Sequence, residues 1–199
     1  MPQFDLRGMK VATYVNNSGT ISYTGAQTIG DAMTATLEMR YAEGRLYAES
    51  TLAEFMKKAT GGSISLGVKY IPTAAQQLMF GSRSKSRSVT YTPSGGSTTT
   101  ASVNGLILGA KTDSKYVGVA FYAPDMVDGV EKYTCVKVAK ALFGPPSMSM
   151  QTAGDNIQFN TPTTTGEFLA DDSSDQDMLE VAICDSEDAA KAWVTAVLA

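Results

Sequence analysis

The chain has 199 residues, a net charge of −4 and no histidine. That length suffices for one sizeable core, and the missing histidine removes the commonest general base and metal ligand. The mildly acidic balance argues against a nucleic-acid reader, whose footprint is basic. No apolar run approaches the ~20 residues that span a bilayer. The start, MPQFDLRGMK, has no apolar segment of the signal-peptide kind, so synthesis in a cytoplasm is expected.

Residues 1–8 have no pattern and read as an N-terminal arm. Met9 to Val15 is a strand candidate, followed by a turn at Asn16-Asn17-Ser18-Gly19 and a partner strand from Thr20 to Tyr23. The cleanest alternation puts Met33, Ala35, Leu37, Met39 and Tyr41 on one face and Thr34, Thr36, Glu38 and Arg40 on the other. Ile64, Leu66, Val68 and Tyr70 alternate in the same way with Ser63, Ser65, Gly67 and Lys69. Both runs read as half-buried strands, one face to a core and one to water. Between them, residues 42–62 exceed the usual hairpin turn of about two to five residues and read as a long loop. Its apolar residues are Leu46, Tyr47, Leu52, Phe55 and Met56; the spacing of Leu52, Phe55 and Met56 leaves one helical turn open. Such a loop either folds onto its own domain or docks onto a neighbour.

Pro72 to Phe80 reads as a short helix, with Pro72 at its first position and Gly81 just past its end. Residues 82–102 are rich in Ser, Thr and Gly and read as a solvated, mobile loop. Its run Arg83, Lys85, Arg87 lacks the interleaved aromatics of a nucleic-acid site. Asn104 to Ala110 is a short strand. Tyr116 to Lys140 is a long hairpin: Val117, Val119 and Phe121 alternate, Pro124 ends the first run, Asp128-Gly129 turns, and the second run starts at Tyr133. The face that this second run turns to the core is open, either Tyr133, Cys135 and Ala139 or Val136 and Val138.

After the break at Pro145-Pro146 come Met148 and Met150, a turn at Ala153-Gly154-Asp155, a strand carrying Ile157 and Phe159, and an edge strand from Thr163 to Leu169. The acidic stretch Asp171 to Asp177 fails the EF-hand spacing, with no Gly at the sixth position and Ala182 in place of the bidentate Glu, so it reads as a solvated turn. Leu179, Val181 and Ile183 mark a last strand. Residues 186–199 read as a C-terminal helix: Ser186 is the N-cap, and Ala189, Ala192, Trp193, Ala196 and Val197 form an apolar stripe with Trp193 as core anchor.

Little chemistry is on offer. Without histidine a serine triad of the usual kind is excluded, and no GxSxG, Walker A or dinucleotide fingerprint is present. Gly61-Gly62 and Gly95-Gly96 are isolated pairs in loops. Cys135 and Cys184 read as small buried apolar residues rather than a disulfide. No enzyme, cofactor or metal site is expected.

Several segments in order carry a resemblance: EMRYAEGRLYAESTLAE, TGGSISLGV, YVGVAFYAP with MVDGVEKY, VKVAKALFGPPS, QFNTPTTTGEF and the closing acidic, Ala- and Trp-bearing helix. Together they resemble the major tail proteins, or tail tube proteins, of long-tailed, non-contractile bacteriophages and prophages. The resemblance covers the chain from Met9 onward and is weakest over 82–102. It implies a mainly β fold with a small α component: a single tail-tube-like β-sandwich or barrel over 1–199, with a flanking helix, long inter-strand loops and terminal arms. It also implies a structural virion protein, made in the host cytoplasm. Its partners would be itself, in hexameric rings stacked into a tube; the tape-measure protein and passing genomic DNA in the lumen; and the tail terminator and distal tail or baseplate proteins. No membrane is involved. In such rings neighbouring sheets join edge to edge, which removes the liability of open edges.

Within that frame, Thr34, Thr36, Glu38, Arg40, Ser63, Ser65 and Lys69 are the candidates to face the lumen, because small hydroxyls with mixed charge suit a conduit that must not hold DNA. Leu46, Tyr47, Leu52, Phe55 and Met56 are the candidates to dock onto the next subunit or ring. The alternatives are a tube protein of a contractile phage-derived particle, an adhesive or carbohydrate-binding β-sandwich, and a carboxylate hydrolase.

Overall fold

A computed structural model of the chain describes residues 5–48, 51–127, 129–147 and 161–199. Outside them lie residues 1–4 of the expected arm, Asp128, Met148, Met150, the turn at 153–155 and the strand carrying Ile157 and Phe159, together with the side chain of Leu52.

The fold is mainly β with a small α component. At its centre is the hairpin of β7 (Val117–Val127) and β8 (Val130–Phe143). Gly129, at φ +78°, supplies the left-handed turn residue between them. β7 does not stop at Pro124, which pairs with Tyr133. The neighbouring strand β1 (Arg7–Asn17) leaves β7 at Tyr122, so Pro124 sits at a local edge, where a missing N–H costs nothing. β1 begins inside the expected arm, and Leu6 already packs against the core.

The sheet grows both ways from this hairpin, always antiparallel. β1 pairs with β2 (Thr20–Thr28) across a turn in which Asn16 Oδ1 accepts from the Gly19 N–H at 2.8 Å. Two strands share the other edge of β8: β10 (Leu179–Cys184) along Tyr133 to Val138, and β9 (Thr163–Leu169) along Lys140 to Phe143. β9 continues to β4 (Thr51–Val68), and β4 to β3 (Ala32–Ala48). β9 is therefore an interior strand, not the expected edge; Pro162 precedes it and leaves its ladder intact.

Three strands separate β1 from β4 in this order, yet Met9 and Val11 share one core with Ile64, Leu66 and Val68. One curled sheet thus wraps the core, the barrel-like form of the expected sandwich or barrel. α1 (Thr73–Phe80) closes it with Ala75, Met79 and Phe80. Pro72 stands at the N-cap, one position earlier than expected, and Gly81 at φ +63° ends the helix.

A second core lies on the opposite face of the hairpin. There α2 (Glu187–Ala196) sets Ala190 and Val194, with Leu198 beyond its end, against Ala12, Ala120, Tyr122 and Cys135. This settles which face of β8 is inward: both are. Val138 and Val136 pack in the main core and Cys135 under α2. Gly118 permits the close approach on the helix side, because a Cβ there would lie 2.4 Å from Tyr23 Cε1. The lysines escape along the rings. Lys137 Nζ sits 5.2 Å from the centre of Tyr23 and reaches Glu180; Lys140 Nζ passes Tyr14 and Tyr116 to reach Asp172 at 2.8 Å.

α2 has its expected cap, Ser186 Oγ accepting from the Ala189 N–H at 3.2 Å. Its buried stripe is displaced by one residue, to Ala190, Trp193, Val194, Val197 and Leu198, while Ala189, Ala192 and Ala196 face solvent. Both stripes have helical spacing, and the one with Val194 and Leu198 buries more apolar area. Trp193 lies half-buried at its margin.

Two expected loops are hairpins. β3 and β4 pair from Ala32 and Val68 out to Ala48 and Thr51, so the described residues of 42–62 are strand rather than a loop or a helical turn. Gly61 and Gly62 lie inside β4, where Gly61 at φ +135° accompanies a register shift between Arg40 and Tyr41. The extra residue of this shift, Thr60, lies on β4, and Tyr41 is exposed because the hairpin runs past the core there; another shift, between Ala32 and Thr34, leaves Met33 without a partner, and Met33 is exposed. Tyr70, past the end of β4, is exposed as well. Residues 82–102 likewise contain β5 (Arg83–Tyr91) and the start of β6 (Thr99–Ile107), which form a separate two-stranded sheet. Its hydroxyls bond across the strands: Ser86 with Ser102 at 2.7 Å, Thr90 with Thr100 at 3.0 Å, and Thr92 with Thr98 at 2.9 Å.

Candidate functional site

Strand alternation determines what β3 and β4 present outward. Ala35, Leu37 and Met39 pack against the core, as do Ile64, Leu66 and Val68. The opposite face carries Thr34, Thr36, Glu38 and Arg40 beside Gly67, Ser65, Ser63 and Gly61, their partners in the ladder. These expected residues therefore come together. Lys69 does not join them. It lies beyond the end of β4 and pairs with Asp31 at 3.4 Å.

β9 extends the same face by a third column that sequence reasoning missed. Ser63 pairs with Glu167, Ser65 with Thr165 and Gly67 with Thr163. Arg40 reaches across Ser63 to Glu167, Nη1 to Oε1 at 2.7 Å, beside a shallow depression of about 400 Å³ lined by Leu142 and Thr165 among others. The polar face is thus three strands wide, made of hydroxyls with one cation and two carboxylates, and Arg40 is already neutralised. Gly62 fits because a Cβ would lie 2.3 Å from both Glu38 O and Phe168 Cζ. The signal for β9 was present in Thr163, Thr165 and Glu167 alternating with Thr164 and Phe168, but only Phe168 marks the inner face clearly.

Past Gly61 the β3–β4 hairpin leaves the core, and Leu46, Tyr47, Phe55 and Met56 are all exposed, Met56 at 73%. The backbone of Leu52 pairs with Tyr47. Pairing sorts the projection into two faces. One carries Tyr41, Glu43, Arg45, Phe55 and Lys57; the other Leu46, Met56, Glu54 and Lys58. The first face satisfies its own charges: Lys57 Nζ lies 4.4 Å from the centre of Tyr41 and 3.3 Å from Glu43, and Arg45 stacks over Phe55 at 5.6 Å. The second shows Leu46 and Met56 with no such cover.

Elsewhere the ionisable groups are structural. Asp172 accepts from Lys140, Tyr14 and Asn16; chiefly the Lys140 ammonium, then the Tyr14 hydroxyl, hold its carboxyl below the usual range. Burial, with the Glu187 carboxylate beside it, pushes the Tyr122 hydroxyl up to about 12. The two cysteines, on adjacent strands, stand with Sγ atoms 3.6 Å apart as free thiols, and burial, then Cys184, pushes the Cys135 thiol up to about 12. A thiol so raised is no nucleophile near neutral pH. Among the described residues no group of three or more His, Cys, Asp or Glu side chains is placed to hold a metal ion, and no helix is long and apolar enough to cross a membrane. The acidic turn is an ordered one: Asp171 Oδ1 accepts from the N–H groups of Ser173 and Asp177, both at 3.1 Å.

No protein-family model matches this chain, and no curated protein sequence matches it.

Proposed function

We propose that the protein is a structural subunit of a tail tube, in which copies close into hexameric rings that stack around a lumen. The observation that carries this reading is the polar face of β3, β4 and β9 ending in an open edge. β3 pairs with β4 alone among the described strands, which leaves one side of a 17-residue strand without a partner. Among the described strands β2 leaves a second open edge at the other end of the same sheet. Edges of this length invite pairing with another chain, and a closed ring of sheets removes them. The wall then shows Thr34, Thr36, Ser63, Ser65, Thr163 and Thr165 to the lumen, hydroxyls that hydrate well and do not neutralise phosphates. The Arg40–Glu167 pair removes the one cation that would retard DNA.

The projecting β3–β4 tip supports stacking. Leu46 and Met56 lie far from either core of their own chain, and apolar residues on such an arm are covered when it seats on the next ring. The arrangement favours neither an adhesive module, since Tyr14, Tyr23, Tyr122 and Tyr133 pack against the hairpin and α2 rather than forming a platform, nor a hydrolase. Non-contractile and contractile tubes share these requirements.

The tip provides the test. Glu43 pairs with Lys57, so residues 44–56 are replaceable by Asn-Gly, a turn that closes a two-residue hairpin. The shortened protein is expected to keep its thermal midpoint and to lose sedimenting polymers. Polymers of unchanged length and yield would show that the tip is not a stacking contact.

A further inference from the structure

The β5–β6 hairpin has the composition of a contact surface on both of its faces, and one face is unmatched within its own chain. Continuous register from Arg83–Ile107 to Tyr91–Thr99 places Arg83, Lys85, Arg87, Val89 and Tyr91 on one side, with Val103 opposite Arg87. The other side holds the hydroxyl ladder. All nine residues of β5 are exposed. None of the three cations enters an ion pair with a described residue, whereas Arg7, Arg40, Arg45, Lys57, Lys69, Lys132, Lys137, Lys140 and Lys191 all do.

The counterpart lies at the far end of the sequence. Residues 171–188 hold eight acids and no Lys or Arg, while residues 83–115 hold five cations and one acid. Of those eight acids, Asp172, Glu180, Asp185, Glu187 and Asp188 pair with cations of their own chain, which leaves Asp171, Asp175 and Asp177 as the acidic surface of the turn. Asp175 and Asp177 are exposed in the ordered turn and enter no ion pair with a described residue. Immediately after them β10 points its large residues outward. Leu179, Val181 and Ile183 face solvent, the last two at 57% and 56%, while Ala182 and Cys184 face α2. Val181 and Ile183 stand beside Val136 and Thr134 in the ladder. Those two residues line an open cleft of about 370 Å³ shared with Phe121 and Met33. Among the described strands β10 pairs with β8 alone, and it contains no Pro, Lys or bulge, the devices that blunt an edge.

We propose that the basic face of the β5–β6 hairpin of one copy docks onto the acidic turn and outer face of β10 of a second copy. The two surfaces share a layout. Arg83, Lys85 and Arg87 lead into Val89 and Tyr91; Asp175 and Asp177 lead into Leu179, Val181 and Ile183. In each, charged residues precede apolar ones along the chain, Arg83, Lys85 and Arg87 in a strand and Asp175 and Asp177 in a turn, so aligned docking sets charge beside opposite charge and apolar beside apolar. A contact between two different patches of one chain is heterologous, the type that generates rings and open filaments, and the inference rests on the self-assembly reading above. A two-stranded hairpin is marginal alone in water, which gives this one a reason to be covered. A nucleic-acid partner is less well matched, because Val89, Tyr91 and Val103 share the face and an acidic mate exists on the same chain.

Charge reversal tests this. R83E/K85E/R87E and D175K/D177K alter exposed side chains, so both variants are expected to keep the wild-type thermal midpoint. Each should raise the concentration needed for assembly, read by sedimentation velocity, by more than about tenfold at low salt, and mixing the two variants should restore assembly. Wild-type assembly should weaken toward 1 M salt. If the wild type assembles and both variants match it, the contact is overturned while the tube reading stands. If only the basic variant differs, by losing retention of duplex DNA in a gel, the face serves nucleic acid and the contact is again overturned. A wild type that stays monomeric overturns both.

Discussion

The β7–β8 and β5–β6 hairpins are built from the same local pattern and meet opposite fates. In β7 all of Val117 to Asp125 is buried, with a core on one side and α2 on the other. In β5 nothing is buried. β7–β8 is held by apolar area, so it determines the stability of the domain. β5–β6 is held by ladder pairing and hydroxyl pairs, each worth a few tenths to about 1 kcal/mol, so it adds surface without adding core. In the proposed assembly the same difference separates what serves the fold of one chain from what would serve contact between chains.

Substitutions should reproduce that division. Phe143→Ala on β8 empties a site that is 1% exposed and should cost about 3–5 kcal/mol, read as a lower denaturant midpoint with unchanged m value. Val103→Ala on β6 should cost less than about 0.5 kcal/mol in the same titration. Equal losses at the two positions would mean that β5–β6 is part of the domain's core after all.

A smaller effect is expected at alkaline pH. Tyr122 is a β7 residue whose hydroxyl is raised to about 12 by burial and Glu187. A raised folded value favours the protonated form. Its stabilising contribution is therefore full below the unfolded value of about 10 and is lost as pH rises toward 12. Tyr122→Phe should flatten stability against pH across that window; an unchanged slope would assign the loss to other tyrosines. Smaller again is the cap of α2, which covers the hairpin from outside. Ser186→Ala should lower stability by about 1 kcal/mol, and Ser186→Asn should leave it near the wild type. No change with Ser186→Ala would mean that α2 holds its place through Ala190, Val194 and Leu198 alone.

Much of the fold was legible where one face is apolar. Met33 to Arg40 and Ile64 to Val68 declare their strands by period two, and their polar residues do come together as a face. Legibility failed where alternation carried no hydrophobic contrast. Ser84, Ser86, Ser88 and Thr90 alternate with cations, so β5 looked like a polar loop, although cross-strand hydroxyl bonds need no apolar face. The β3–β4 tip was hidden by its length and by the spacing of Leu52, Phe55 and Met56, and at the other end of β3 a register shift exposes Met33 against the pattern. In α2 two stripes were open, and the larger side chains decided between them. β10 was read as a strand from Leu179, Val181 and Ile183, but the sequence does not carry the information that these face outward. That depends on α2 occupying the other side.

The central claim is that copies of this chain build a hollow tube. Electron microscopy of the purified protein across rising concentration tests it most directly. The account predicts tubes with a regular axial repeat, six copies per ring by mass per length, and a lumen lined by the β3, β4 and β9 face. A protein that remains monomeric at the highest concentrations reached, or that forms solid fibres without a lumen, would contradict it.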